Sequence, residues 1–562
     1  MLLSNLNLLA TAPGGAAKLR ELILTLAVQG KLVPQDPADE PASVLLQKIR
    51  AEKDRLIAEG KIKRDKPLAE IAEEEKPFEL PAGWEWVRLG DITNYGTTTK
   101  VERLQPDTWV LDMEDIEKSS GRLLQRLRFA QRPALSDKNC FLAGDVLYGK
   151  LRPYLNKVLV ADEDGVCTTE VIPFRCYGNY VPQYFRLVLS SPFFLEYVNA
   201  RSYGMKMPRL GTEDARKSVI PLPPLAEQSR IVTRVEALMR LCDALEAKGQ
   251  LEAAQHAQLV STLLGTLTAS TTPEELAAHW QRVAQHFDLL LDRPEAIDAL
   301  EQTLLQLAVR GLLVPQDPTD EPASALLQKI RAEKDRLIAT GQIKRDKPLP
   351  PITDEEKPFE LPVGWEWVRM GAVVNASEAG WSPTCIGSPR RPGLWGVLKV
   401  SAVSWGEFDA TANKELPSDL VPRPEYEVRD GDFLLSRANT AELVARSVVV
   451  EQAEPKLMLS DKIIRLAVSS QMNRSFLNMA NNASYAREHY AVNASGTSSS
   501  MKNVSREVVV ALPVPLPPLA EQSRIVTRVT ALRHLCADLR QRLAERQAVQ
   551  ARLAEALVQE VA

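Results

Sequence analysis

The chain has 562 residues, 45% of them apolar and 25% charged, with 69 Lys plus Arg against 73 Asp plus Glu for a net charge of −4. These proportions exclude a disordered, fibrous or membrane-spanning protein, and the near-neutral balance means that affinity for nucleic acid has to come from local patches. At roughly 150 residues per domain the length predicts about four compact units. Six cysteines without a single CxxC pair predict neither a disulfide framework nor a zinc finger, which fits a reducing compartment. The opening MLLSNLNLLATAPGG has no Lys or Arg before its apolar run, which Ser4, Asn5 and Asn7 interrupt, so it does not read as a signal peptide. No apolar stretch approaches the ~18 residues of a membrane span. A cytoplasmic protein is expected.

Taken in order, the predicted elements come twice. Residues 33–68, VPQDPADEPASVLLQKIRAEKDRLIAEGKIKRDKPL, recur at 314–349 with four differences in 36 positions, an offset of 281. In the first copy Leu45, Leu46, Ile49, Leu56 and Ile57 fall on one side of a charged helix that begins after Pro41 and stops at Gly60. KPFELPAGWEWVRLG (76–90) repeats at 357–371. The stretches that follow, about 85–220 and 366–514, are barely alike. They hold short β-branched or alternating runs such as DVLYGKL, KVLVADEDGVCTTEVIPF and SVVVEQ, punctuated by Gly, Pro and Asp, which predict compact, strand-rich mixed domains. A shared frame still shows through. Gly144–Lys150 aligns with Gly431–Arg437 at offset 287, and Met207–Leu210 with Met501–Val504 at offset 294. Then PLPPLAEQSRIVTRVEAL (221–238) recurs at 515–532, again at offset 294. Behind it Ile525, Val529, Leu532, Cys536, Leu539 and Leu543, like Ile231, Val235, Leu238, Cys242 and Leu245, are spaced 4, 3, 4, 3 as in a coiled-coil seam. Each seam helix is expected to run for about 35 to 40 residues, roughly 50 to 60 Å.

Several catalytic motifs are imitated without being present. Gly144-x-x-x-x-Gly149-Lys150 has Leu151 where a phosphate-binding loop needs Ser or Thr for Mg²⁺, and its interior is strand-like. The five histidines, 256, 279, 286, 489 and 534, share no metal-ligand spacing. G-x-G does not occur. The double prolines at 223–224 and 517–518 lack a preceding Asp or Asn and end in Leu, unlike the Asp/Asn-Pro-Pro-aromatic motif of adenine methyltransferases. They are expected to end the variable domains and launch helices.

With these residues in view, the sequence resembles the specificity subunit of type I restriction-modification systems over essentially its whole length. The resemblance is carried by LPPLAEQSRIVTRV in two copies, Leu-Pro-x-Gly-Trp-Glu-Trp-Val at 80–87 and 361–368, GDVLYGKLRPYLNKV at 144–158 and GDFLLSRANTAELVARS at 431–447. It implies an α+β fold with two pseudo-repeated, mixed, strand-rich target recognition domains separated by long antiparallel coiled-coil helices. The expected divisions are an N-terminal helical repeat region at 1–83 and recognition domain 1 at 84–220. A central helical region follows at 221–364, then recognition domain 2 at 365–514 and a C-terminal coiled-coil helix at 515–562. Each recognition domain is implied to read one half of a split site on double-stranded DNA. The helices are implied to dock two methyltransferase subunits, and through them restriction subunits. The chain itself is expected to be non-catalytic and to bind no cofactor, with S-adenosylmethionine, ATP and Mg on the partner subunits. One departure from the family pattern is Met207-Pro208-Arg209, where a more polar loop is expected.

The residues support the same function by a separate route. Near-identical flanks fit two copies of one partner, and dissimilar middles on one frame fit two ligands of one kind, as two unlike DNA half-sites are. Charge is only permissive: residues 85–220 carry 19 basic against 17 acidic side chains, and 366–514 carry 16 of each. The DNA-contacting candidates in the first copy are Lys150, Arg152, Asn156, Lys157, Lys206 and Arg209, and in the second Arg437, Asn439, Lys502 and Asn503. Arg and Lys suit phosphates or guanine, and Asn suits adenine edges. The run Arg122, Arg126, Arg128, Arg132 reads instead as a solvated face. The alternatives are a duplicated coiled-coil scaffold that binds only proteins and a methyltransferase or nuclease with an unrecognised motif.

Overall fold

The structure, a computed structural model, describes residues 12–99, 104–132, 138–270, 272–404, 406–496 and 501–561. The repeated helix runs over Ala42–Ala58 and again over Ala323–Ala339. It buries Leu45 and Ile49 in one copy and Leu326 and Ile330 in the other. Gly60 and Gly341 stop it with φ of 70° and 71°, a left-handed cap that glycine adopts without strain. A second pair of helices precedes these, Gly15–Val28 and Pro294–Val309. Their last residues stand 281 apart, so the duplication reaches further toward the N-terminus than the near-identical blocks do. Gly30 and Gly311 follow them with φ near 70°. There a Cβ would lie 2.4 Å from Pro81 and 2.5 Å from Pro362, so the chain can turn onto the Leu-Pro-x-Gly-Trp motif only without a side chain.

Both variable stretches are strand-rich, as their β-branched runs require. In the first, Leu127–Arg128, Trp109–Leu111, Gly165–Thr168 and Lys138–Phe141 form one four-stranded sheet in that order. Val158–Val160, Val146–Gly149 and Val171–Phe174 form a three-stranded one. In the second, Val374–Ala379, Ile463–Val468, Phe433–Ser436 and Ser447–Val449 make a four-stranded sheet. The Gly144–Lys150 segment is a strand ending in a turn, as expected.

The repeated motifs on either side of each domain pair with one another. Glu85–Arg88 lies antiparallel to Val219–Leu222 with Val87 opposite Ile220, and Glu366–Arg369 lies against Pro513–Leu516 with Val368 opposite Val514. Side chains lock this closure. Trp84 Nε1 donates to Glu227 at 2.9 Å and Trp365 Nε1 to Glu521 at 2.9 Å. Arg230 pairs with Asp39 at 2.5 Å and Arg524 with Asp320 at 2.6 Å. The Gln228 carboxamide oxygen accepts from Val181 N, and that of Gln522 from Asn473 N. Buried Arg88 donates to the carbonyls of Ala69, Glu70 and Lys217 and to Glu75. Arg369 does the same toward Pro350, Pro351, Ala511 and Glu356. Much of the identity between copies therefore has an internal use.

The long helices cover Leu225–Ala269 and Leu519–Val561, 45 and 43 residues, longer than the seam alone indicates. The seam pairs helix with helix over only part of its length. Ile525 and Val529 pack into the core of recognition domain 2, whereas Cys536 and Leu543 join a helical cluster with Val260, Leu264, Ile297 and Leu304. In the first copy Ile231, Val235 and Cys242 share a core with strands Val146–Gly149 and Val171–Phe174 and with Ala554. A 4-3 spacing marks a buried face but does not say what covers it. The chain divides into two compact units, residues 1–252 with 546–562, and 253–545. Each holds one recognition domain. Each long helix contributes residues to both units.

Candidate nucleic-acid interface

Among the ten candidate residues, the backbone brings most to one rim in each domain. After strand Val146–Gly149, Lys150 N donates to Glu170 O at 2.9 Å, and Lys150 O accepts from Leu210 N at 3.1 Å. After strand Phe433–Ser436, Arg437 N donates to Lys462 O at 2.7 Å, and Arg437 O accepts from Val504 N at 3.0 Å. The same two backbone bonds thus hold a cation at the equivalent place in both copies. Among the described residues neither side chain makes a hydrogen bond or an ion pair, Glu507 lies within electrostatic reach of Arg437, and Arg437 is exposed.

The next residues repeat the match. Leu151 bridges Arg209 and Arg152 N donates to Pro208 O at 2.7 Å, while Ala438 pairs with Asn503 and Asn439 with Lys502. A loop closed by Tyr203 and Arg209 answers one closed by Ser495 and Asn503. What the frame carries differs. Arg209 is fixed by three hydrogen bonds to Glu170, at 2.9 and 3.2 Å from one carboxylate oxygen and 3.1 Å from the other. The Asn503 amide is unengaged among the described residues. Asn439 donates to Ser404 Oγ at 2.9 Å, and Lys502 to Gly496 O at 2.6 Å. Arg152 sits at φ 48°, its Nε buried without a partner. Lys206 is exposed on the Tyr203–Arg209 loop.

Two candidates are tied to the protein's own backbone, Asn156 buried and Lys157 half-buried. Asn156, 7% exposed, takes a left-handed turn at φ 50° and donates to Ser190 O at 3.0 Å. Lys157 Nζ donates to Met113 O at 2.6 Å, and burial lowers its pKa. Polar residues in a turn-rich stretch read alike whether or not the fold supplies them a backbone acceptor. The arginine run is ion-paired and not simply solvated. Arg126 meets Asp162 at 2.6 Å and stacks 4.4 Å over Trp109, Arg128 pairs with Glu163, and Arg132 meets Asp115 at 2.5 Å.

One pair carries no signal in the sequence. Arg446, at the end of the loop that starts with Arg437, and Arg487, on helix Ser484–Asn493, have buried guanidinium nitrogens without hydrogen bonds. Burial, with Arg446 nearby, brings Arg487 down to about 10. Among the described residues no group of His, Cys, Asp or Glu is arranged to hold a metal ion. No helix there is long and apolar enough to cross a membrane.

Comparison with known proteins follows the same lines. Residues 81–255 match the family described as the type I restriction modification DNA specificity domain. The specificity subunit of the EcoEI type I restriction enzyme of Escherichia coli is 43% identical over 557 residues, 97% of this chain and 93% of its own length. That of EcoAI, also from Escherichia coli, is 37% identical over 586 residues, with the same coverage. Among solved structures, a chain from a study of type I R-M system assembly aligns at 20% identity with a TM-score of 0.49, over 86% of this chain and 99% of that one. The HsdS subunit from Thermoanaerobacter tengcongensis aligns at 20% with a TM-score of 0.39, over 87% and 98%.

Proposed function

The chain belongs to the family of type I restriction enzyme specificity subunits, and from that premise we propose that it reads a bipartite, asymmetric target on double-stranded DNA. Residues 84–220 read one half and residues 365–514 the other. The observation that carries this reading is the shared rim. One backbone frame presents Lys150 in one domain and Arg437 in the other, surrounded by unlike side chains. Duplex DNA fits such a pair, because phosphate spacing is constant while base edges vary. Two identical readers related by a two-fold would take an inverted repeat. These two domains differ, so the halves should differ. A fixed number of unread base pairs should separate them.

The chain is a non-catalytic subunit of its enzyme complex. Its partners are methyltransferase subunits, in a ratio of two to one chain, and restriction subunits that join through them. S-adenosylmethionine, ATP and Mg are bound by those partners in the cytoplasm. The duplicated blocks support the ratio only in part, because many of their identical residues close the domains internally. A native mass spectrum under partner excess tests the ratio, and a stable one-to-one complex would overturn it. The recognition reading is tested by exchanging residues 84–220 for the matching domain of a relative and mapping methylation. One half-site should change and the other stay. A change in both, or in neither, would refute it, and a chain that binds partners but no specific DNA would favour the scaffold reading.

A further inference from the structure

The Tyr203–Arg209 loop has an exposed apolar tip that the proposed function leaves unused. Met205 is fully exposed, at 104%, with Tyr203 at 61% and Met207 at 51%. Such a tip gains nothing from water, and covering a methionine is favourable. The loop is nevertheless well built. Tyr203 and Arg209 exchange both backbone hydrogen bonds, at 3.1 and 2.9 Å. Gly204 makes the turn at φ 102°, where a Cβ would lie 3.1 Å from Met207 O. The base of the loop is stitched to the rim by Leu151 and by the Arg152 to Pro208 bond. Exposed Lys206 stands beside Met205, and Lys150, whose ammonium makes no hydrogen bond or ion pair among the described residues, lies at the other end of the stitch.

An apolar tip flanked by unpaired cations on a rigid turn has the chemistry of a groove-inserted wedge, in which cations hold phosphates while a methionine enters between base pairs. The second domain offers a contrast. Its loop keeps the turn glycine, Gly496 at φ 119°, and an exposed methionine, Met501. Between them the sequence reads Thr-Ser-Ser-Ser where the first copy reads Met-Lys; those four residues lie outside the described ones.

We propose that Met205 is a wedge that recognition domain 1 inserts between two stacked base pairs of its half-site, and that the second half is read without a methionine at the corresponding point. This rests on the two-reader function above, and one experiment separates their failures. The full chain, assembled with its methyltransferase subunits, is bound to duplexes carrying 2-aminopurine at one position at a time. Every position of both halves is sampled except the adenines that accept methyl groups. The expected result is raised fluorescence at one or two adjacent positions of the first half only. Met205→Ser should abolish that rise and weaken binding about tenfold. Met205→Leu should keep both, and a mismatch at the wedged step should restore much of the affinity of Met205→Ser. Because the side chain is fully exposed, assembly should be unaffected in either variant, and a native mass spectrum checks this. Specific binding without any such position, or a rise that Met205→Ser leaves unchanged, overturns the wedge alone. Absence of specific binding by the unaltered complex overturns the two-reader function and the wedge with it.

Discussion

The base and the rim of each recognition domain are built on opposite terms. At the base the two copies agree side chain by side chain: Trp84 and Trp365 on Glu227 and Glu521, Arg230 and Arg524 on Asp39 and Asp320. At the rim only the backbone agrees, with Lys150 and Arg437 held by equivalent bonds while Asn439 stands in the second copy where the first has Arg152, and Asn503 where the first has Arg209. Identity between copies thus marks the parts that hold a domain shut. Divergence on a fixed frame marks the parts free to meet different ligands.

The comparison breaks most visibly if the base is cut. Glu227→Ala leaves the Trp84 indole N–H buried without an acceptor, so unit one should lose about 2 to 3 kcal/mol. Glu521→Ala should cost unit two about as much. Denaturant melts that show no loss for either would mean that the latch is ornamental. At the rim, Arg437→Ala should weaken recognition of the second half alone, by about 1 to 3 kcal/mol if it reads a base edge. Lys150→Ala should do so at the first half. Competition binding with each half randomised in turn measures this, and a uniform fall on all sequences would assign the side chain to phosphate.

Asn156→Ala sharpens the boundary between the two regions. It should cost about 1 kcal/mol of stability through the lost bond to Ser190 and the left-handed turn, with target choice unchanged. A shifted methylation pattern would return Asn156 to the rim. The smallest effect concerns pH. Hydrogen bonding from Arg369 holds the Glu356 carboxyl at about 2, below its ordinary 4.5. Its stabilisation is therefore present above about 4.5 and is lost as pH falls toward 2. Melts of the chain at pH 5 and pH 3 should differ less for Glu356→Gln than for the unaltered chain.

Much was legible without the fold. The duplication, the strand-rich middles and the alignment of Lys150 with Arg437 all came from residue patterns, since a repeated sequence has to repeat its backbone. The helices Gly15–Val28 and Pro294–Val309 went unread because their similarity fades outside the near-identical block. The seam of Ile525 to Leu543 reads as a buried face throughout, and a helix covers it at Cys536 and Leu543 as expected, but the recognition domain covers it at Ile525 and Val529, because spacing reports which side of a helix is apolar and not what packs there.

By itself, then, the sequence determined that one frame is used twice and that its middles diverge, because periodicity and repetition are properties of local chain order. Only the tertiary structure decided which of the basic residues stand at a surface. Asn156 and Lys157 lie within a few residues of Lys150, yet the side chain of one donates to Ser190 O and that of the other to Met113 O, while the Lys150 ammonium makes no hydrogen bond or ion pair among the described residues. The two interior partners lie 34 and 44 residues away in the chain, and no local pattern encodes a hydrogen bond across that distance.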